Sequence, residues 1–470
     1  MEAGIVALLL TISHLALATA SASHALIYKR DPRAAIAWMV VSVTVPFIGP
    51  VIYYMFGINR VRTAAIGYRN DRLVSYERPE RYSEYLGCAS PVDALSMVGA
   101  TVSGNRMLCA NSVEPLINGE ATYAAMLEAI NEASDFVHLT TYILESGDVG
   151  KTFIDALAQA VERGVDVRVL IDGFGQYYAI PTATRLLRKA GVPVQCYLPP
   201  RLFPPSLHVN LRNHRKVLVV DGVVAFTGGA NIGRRHIADE HGVRQVTDIH
   251  FRLQGPVVSE LDEVFCHDWC FVTGAALPPA PVDTRCYEEA VCRVIMDGPD
   301  EHMDKLSMVI QGVISAARRR ITIMTPYFLP SRELVAALQA AACRGVKIRV
   351  ILPAENNLPF VHWATRNMLW ELLMWDIEVQ YQSPPFCHSK LLLIDDDYAL
   401  IGSANLDPRS LRLNFELGVE VFDRKLVAQL DQHIEETCCD AHNVTLEEVD
   451  GRPLHLRMWD SAFWLMSPYL

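Results

Sequence analysis

The sequence predicts an α/β body of two tandem units related by a pseudo-two-fold axis, preceded by a hairpin of two membrane-spanning helices. Three observations carry this. Two long uncharged runs open the chain, strand-like and helix-like segments alternate through the rest, and one motif occurs twice at identical spacing.

The two runs come first. Residues 3–28 carry no formal charge, with only His14 and His24 as titratable bases, and residues 34–58 are again uncharged. Each is long enough to cross a hydrocarbon core of about 30 Å as a helix. Lys29-Arg30-Asp31-Pro32-Arg33 separates them, short and charged. Pro46 and Pro50 are expected to kink the second span. Ala18-Thr19-Ala20 resembles a signal cleavage site, but the leading Met1-Glu2 is acidic rather than basic, so the run reads as retained. Basic residues flank the hairpin on both sides: three in its loop, and Arg60, Arg62, Arg69 and Arg72 after it. The positive-inside rule slightly favours the later segment as cytoplasmic.

Composition narrows the rest. At 470 residues the chain can bury several cores, and 51% hydrophobic residues with a mean hydropathy of +0.16 fit membrane content. The net charge of −11 lowers nucleic acid as a partner. The eleven cysteines are scattered, and neither Cys266/Cys270 nor Cys438-Cys439 has a matching second half. This argues against a disulfide scaffold or structural zinc and fits reduced thiols in a cytosol-facing body.

The body repeats itself. A strand is expected over 136–142, a helix over 152–163 and a strand over 165–172; the echo is a strand over 321–327, a helix over 332–344 and a strand over 346–352. Gly164 and Gly345 end the two helices at matching joints. The expected domains are the hairpin 1–58, a connecting segment 59–110, a first repeat 111–275 and a second repeat 276–470. A Pro-rich linker spans 277–282, and each repeat is read as a sheet covered by helices.

The repeated motif carries the chemistry. Its first copy is His214, Lys216, Asp221, then Gly228-Gly229-Ala230-Asn231. The second is His388, Lys390, Asp395, then Gly402-Ser403-Ala404-Asn405. On an extended segment His and Lys at i and i+2 share a face, so two copies brought together give two imidazoles and two ammonium groups around one pocket. One imidazole can attack phosphorus, and the other can protonate the leaving alcohol and deprotonate the next. Which does which stays open. Lys216, Lys390, Asn231 and Asn405 can neutralise the phosphoryl oxygens, and the small Gly229 and Ser403 admit the phosphate to the backbone. Asp248 and Glu416 are the candidates to hold the imidazoles through Nδ1. Asp221 and Asp395, though part of the motif, read more as structural than as chemical groups. None of the fifteen histidines falls in a metal-binding spacing, so no metal and no cofactor is expected.

Three apolar segments read two ways. Residues 358–375, with Phe360, Trp363, Trp370 and Trp375, form either a core helix or an amphipathic lid on the bilayer. Residues 202–207 read as a surface loop or a membrane-dipping one. The tail 454–470 is either a packing element or an interfacial anchor.

The doubled H-x-K-x4-D pattern is the signature of the phospholipase D superfamily. The chain further resembles bacterial cardiolipin synthases over nearly its whole length. The matching features are the hairpin with residues 33–38, Asn213-His214-Arg215-Lys216, Thr325-Pro326-Tyr327-Phe328, the run from Asn405 to Ser410 with Asn414-Phe415-Glu416, and Ser467-Pro468. With the two spans and the reduced thiols, the resemblance points to an enzyme of the bacterial cell membrane, multi-pass, with a cytoplasmic body. It would transfer a phosphatidyl group from one phosphatidylglycerol to another and release glycerol. Its partners would be membrane lipids and not nucleic acid. Phospholipase D-type hydrolysis and a phosphodiesterase are the alternatives. The sequence departs from the family pattern at Arg234-Arg235-His236, where an acidic residue and an acidic–aromatic pair are usual, and at Gln245-Val246-Thr247-Asp248, which lacks a Trp.

Overall fold

The computed structural model describes residues 2–29, 32–58, 94–200, 211–299 and 302–467. It separates into two compact units, Met1–Gly67 and Tyr68–Leu470.

In the first unit, Glu2–Tyr28 is one unbroken helix, and its 25-residue stretch Gly4–Tyr28 is long and apolar enough to cross a membrane. The second run departs from the expected single span. It divides into a helix Pro32–Thr44, a short helix Ile48–Ile52 and a π-helical turn Tyr53–Gly57. The break has a local cause: Pro46 has no N–H to continue the ladder, and Phe47 turns the chain at φ 59°. Pro50 sits in the first turn of the next helix, where its missing N–H leaves nothing unpaired. Gly49 allows the close return, because a Cβ there would lie 2.1 Å from the Val41 carbonyl oxygen. Both histidines are engaged: His24 Nδ1 lies 2.7 Å from the Tyr53 hydroxyl, and His14 Nε2 lies 3.2 Å from the Val43 carbonyl.

The second unit contains seventeen strands among the described residues. The first half gives β1 (Leu108–Ile117), β2 (Phe136–Thr141), β3 (Asp166–Asp172), β4 (Val194–Tyr197), β5 (Val217–Val220), β6 (Val224–Gly228), β7 (Val246–Thr247) and β8 (Ile249–Gln254). The second half gives β9 (Ala290–Asp297), β10 (Arg320–Met324), β11 (Lys347–Pro353), β12 (Glu378–Gln382), β13 (Phe386–Cys387), β14 (Leu391–Ile394), β15 (Tyr398–Gly402), β16 (Glu416–Phe422) and β17 (His442–Asn443). The expected two sheets are one. Fifteen strands run in the order β17-β12-β11-β10-β14-β15-β16-β9-β1-β8-β6-β5-β2-β3-β4. Outward from the antiparallel β9–β1 pair the two halves repeat the same order, which sets the pseudo-two-fold relation at that pair. The joining strand β1 begins before the expected boundary at 111. The helix Ala94–Ser103 also belongs to the body, with Gly99 against the Glu420 carboxylate and Val98 against Gly312.

The central strands β5, β6, β14 and β15 are buried on both faces, so they are near-continuous apolar runs rather than alternating ones. Val217 and Val219 of β5 join Leu391 and Leu393 of β14 in one core shared by both halves. Their neighbours Leu218 and Val220 face the first half's helices, and Leu392 and Ile394 face the second half's. Gly164 and Gly345 end the helices Asp148–Glu162 and Arg332–Cys343 at φ 89° and 85°, the left-handed conformation expected of them.

The thiols only partly meet expectation. Among the described residues nine cysteines are free, and Cys109 is disulfide-bonded.

Candidate active site

Each motif is seated on the backbone of the other half. The His214 N–H donates to the Phe415 carbonyl at 2.9 Å, and the Phe415 N–H donates to Arg212 at 2.8 Å. The second motif mirrors this. The His388 N–H donates to the Thr247 carbonyl at 2.8 Å, within the parallel pairing of β13 and β7. The exchange continues in the side chains. His214 Nδ1 lies 3.1 Å from Glu416 Oε2, and His388 Nδ1 lies 2.8 Å from Asp248 Oδ2. The acid that follows one motif thus holds the histidine of the other. With Nδ1–H given to a carboxylate, Nε2 of each ring is the atom left for chemistry.

The lysines complete the cluster. Lys216 donates to the His214 carbonyl at 2.8 Å and lies over the Tyr142 ring. Lys390 donates to the His388 carbonyl at 2.6 Å, with its Nζ 3.2 Å from His388 Nε2. Burial, opposed by Glu416, lowers the Lys216 ammonium to about 7, and burial lowers Lys390 as well. Burial also pushes both imidazoles towards their neutral forms. His388 falls well below its ordinary value, where the charges of Lys390 and Lys216 add to the effect; for His214 the Glu416 carboxylate opposes it. The two acids differ. Burial would raise Glu416, but His214 and Lys216 outweigh it and hold it low, whereas burial prevails over Lys390 at Asp248.

The remaining candidates separate into three groups. Asn231 and Asn405 are buried, and each Oδ1 lacks a hydrogen-bond partner. Each oxygen is free to accept a hydrogen bond from a ligand. Ser403 does not turn its hydroxyl to a phosphate. It donates to Glu416 Oε2 at 2.6 Å and accepts from the Leu417 N–H at 3.0 Å. Gly229, its counterpart, makes room for Asp248, whose Oδ1 would lie 2.4 Å from an added Cβ. Both serve the orienting carboxylates, because position 2 of each G-[GS]-A-N segment packs against the next strand.

Asp221 and Asp395 lie at the strand ends and are taken up by backbone. Asp221 accepts from the N–H groups of Ser134, Asp135 and Phe136, and Asp395 from those of Arg318, Arg319 and Arg320. Their carboxylates are thus engaged at the entries to β2 and β10.

Sequence reasoning missed Arg215. Fully buried, it pairs with Asp268 at 2.6 Å and donates to the carbonyls of Glu416 and Asp297, both at 3.0 Å. Asn213 shares Asp268 at 2.9 Å. A charged residue at the variable position of H-x-K is the only sequence signal for this. Tyr142 and Tyr327 were also missed as ring neighbours, at 5.1 Å from His214 and 6.5 Å from His388.

One trio could hold an ion: His138, Asp262 and Cys266 have ligand atoms within 4.8 Å of one another. They already bond to each other, with His138 Nδ1 2.7 Å from Asp262, and Asp262 also accepts from the Ala280 N–H.

The apolar segments resolve in part. Residues 359–368 are a helix against which the tail helix Leu454–Leu465 packs; the Trp363 ring lies 4.9 Å from Phe463 and 5.8 Å from Trp459. Trp370, Trp375, Leu454, Met458 and Leu465 stay exposed. Residues 202–207 lie outside the described residues.

Paired neutral imidazoles, each oriented by a carboxylate from the other half and flanked by buried lysines, define a phospholipase D-type phosphoryl-transfer site. The comparisons agree. Residues 126–269 and 310–438 match the family model of the cardiolipin synthase, PLD-like domain, and residues 16–57 match a phospholipase D-nuclease N-terminal model. The chain is similar to the major cardiolipin synthase ClsA of Bacillus subtilis, 30% identical over 94% of this chain and 95% of that one. It is also similar to cardiolipin synthase A of Pseudomonas putida, 32% identical over 98% and 97%. In fold it is similar to the crystal structure of a phosphatidylserine synthase from Haemophilus influenzae, with a TM-score of 0.62 and 16% identity over 80% of this chain and 100% of that one. The chain belongs to the cardiolipin synthase family of the phospholipase D superfamily.

Proposed function

We propose that the protein is a membrane-bound phosphatidyltransferase that makes cardiolipin from two phosphatidylglycerols and releases glycerol. The exchange of orienting carboxylates carries this reading: it leaves two Nε2 atoms, with two buried lysines, for one phosphorus. One Nε2 attacks the phosphorus of the first lipid, and the bond to the headgroup glycerol breaks. The other imidazole, having taken a proton, gives it to the departing glycerol oxygen. The now neutral imidazole removes the proton from a hydroxyl of the second lipid, whose oxygen displaces the histidine. Lys216, Lys390, Asn231 and Asn405 hold the phosphoryl oxygens throughout, Asp248 and Glu416 keep the tautomers, and no step calls for a cofactor.

In the same reading both N-terminal runs lie across the bilayer, with Val45–Phe47 as a bend in the second. The four arginines between 60 and 72 favour a cytoplasmic body. The functional domains are the hairpin and two repeats meeting at β1 and β9. The test is purified full-length protein in phosphatidylglycerol vesicles, with cardiolipin, glycerol and phosphatidic acid quantified. The reading expects cardiolipin and glycerol in equal amounts. Phosphatidic acid as the main lipid product would instead make the protein a hydrolase.

A further inference from the structure

The reaction brings together two lipids that each carry a phosphate. The buried lysines and asparagines account for the one that reacts. The second lipid's phosphate must lie a glycerol's length away, against the repulsion of the first, and needs its own cation.

The two repeats offer related arginines for this. Arg235 stands four residues after Asn231, and Arg409 four residues after Asn405. Arg409 lies in the helix Pro408–Arg412, is half-buried, and shares its surroundings with Arg212, Tyr142 and Tyr178 on the His214 side. Arg235 is on the His388 side. Its carbonyl accepts from the Gln245 N–H at 3.3 Å, immediately before β7, the strand that seats His388. Its charge acts on both His388 and Tyr327.

The guanidinium is held but not used up. Nε and Nη2 donate to Glu145 Oε1 at 3.1 and 2.8 Å, and 30% of the side chain is exposed. Glu145 is fixed in turn by the Arg234 N–H at 3.1 Å and by Gly233, which leaves no room for a side chain between them. Nη1 has no partner among the described residues. Beside it, His236 is 1% exposed, and neither ring nitrogen has a hydrogen-bond partner. Its counterpart in the second repeat, Ser410, is engaged by Asn405 at 3.2 Å. The charge of Arg235 acts on His236, so a fixed cation stands near unmet buried polar atoms. These are the conditions for an anionic, hydroxyl-bearing ligand.

We infer that Arg235 is the subsite for the phosphate of the second, accepting lipid, placed beside His388 by its pairing with Glu145. The inference rests on the transferase reading and adds to it how an anionic acceptor is preferred over a neutral one.

Two acceptors separate the possibilities in full-length enzyme and mixed micelles. Phosphatidylglycerol as acceptor gives cardiolipin. Labelled free glycerol exchanges into phosphatidylglycerol through the same phosphatidyl-enzyme but carries no phosphate. Arg235→Gln, and independently Arg235→Met, should lower cardiolipin formation relative to glycerol exchange by about tenfold, the loss of one charge-assisted contact. Arg235→Lys should fall between them and wild type. Parallel loss of both reactions, or an unchanged ratio in the Gln and Met variants, would overturn the subsite. Failure of the wild type to make cardiolipin at all would instead strike at the transferase reading.

Discussion

The two repeats carry the same motif but embed it differently. In the first, the variable residue between His and Lys is Arg215, tied to Asp268 and to two carbonyls of the other half. In the second it is Ser389, also buried but with no ion pair. The first copy's acid partner is Glu416, braced by Ser403 and Asn414; the second's is Asp248, against which only a glycine fits. The longer acid needs a hydroxyl beside it, and the shorter one needs space. Duplication thus preserves the reacting groups, while each copy is fastened to its partner by its own contacts. Neither half is a complete site, because every orienting bond crosses between them.

That comparison can be broken in graded ways. His214→Ala and His388→Ala should each lower phosphatidylglycerol turnover by about 10³-fold or more, because the nucleophile and the acid act as a unit. If either repeat could work alone, one of these variants would keep substantial rate. Arg215→Ala should cost about 3–5 kcal/mol in stability by leaving the buried Asp268 carboxylate without its guanidinium, whereas Ser389→Ala should cost less than about 1 kcal/mol. Equal denaturation midpoints for the two variants would erase the asymmetry.

Glu416→Gln and Asp248→Asn should each slow turnover by about 10- to 100-fold. The sharper readout is spectroscopic. Glu416→Gln should move the imidazole ¹⁵N signals of His214 and spare His388, and Asp248→Asn should do the reverse. A perturbation confined to the histidine of the same repeat would contradict the exchange.

The lysines make a pH prediction. With Lys216 lowered to about 7, the charged form that grips phosphate is lost as pH rises through that value. kcat/KM should therefore fall on the alkaline side with a limb near pH 7, and Lys216→Arg should move that limb upward. In stability the sign is opposite. The folded state binds this proton less well than the unfolded chain does, so the cost is full below about pH 7 and is relieved as pH rises towards the unfolded value of 10.5. The smallest effect concerns the helix pair. Trp363→Ser should lower the melting temperature, since its ring packs on Phe463 and Trp459. Exposed Trp370→Ser should leave the melting temperature nearly unchanged and raise the share of phosphatidic acid only if that face excludes water.

Much of this was legible in order and spacing. The strands and helices around Gly164 and Gly345 fall within a few residues of expectation, because apolar runs and helix-ending glycines are local signals. The pairing of each histidine with an acid was legible only as a candidate set. Glu416 lies 202 residues from His214, and Asp248 lies 140 from His388; no local pattern tells which acid serves which ring. The merging of two sheets into one depends on the β1–β9 pairing, equally remote. Asp221 and Asp395 share the motif with the histidines and read as structural from the sequence, but that they take up amides 86 and 76 residues away is not written in the motif. The break at Phe47 was half visible: Pro46 announced it, but a positive φ at a bulky residue has no sequence signature.

The central claim is that both motifs act in turn on one phosphorus through a covalent histidine intermediate. The stereochemical course tests this most directly. With phosphatidylglycerol made chiral at phosphorus by a single sulfur substitution, two successive in-line displacements give cardiolipin with retained configuration, and this is the outcome expected. Net inversion would mean a single direct displacement, and the two-histidine mechanism would not stand.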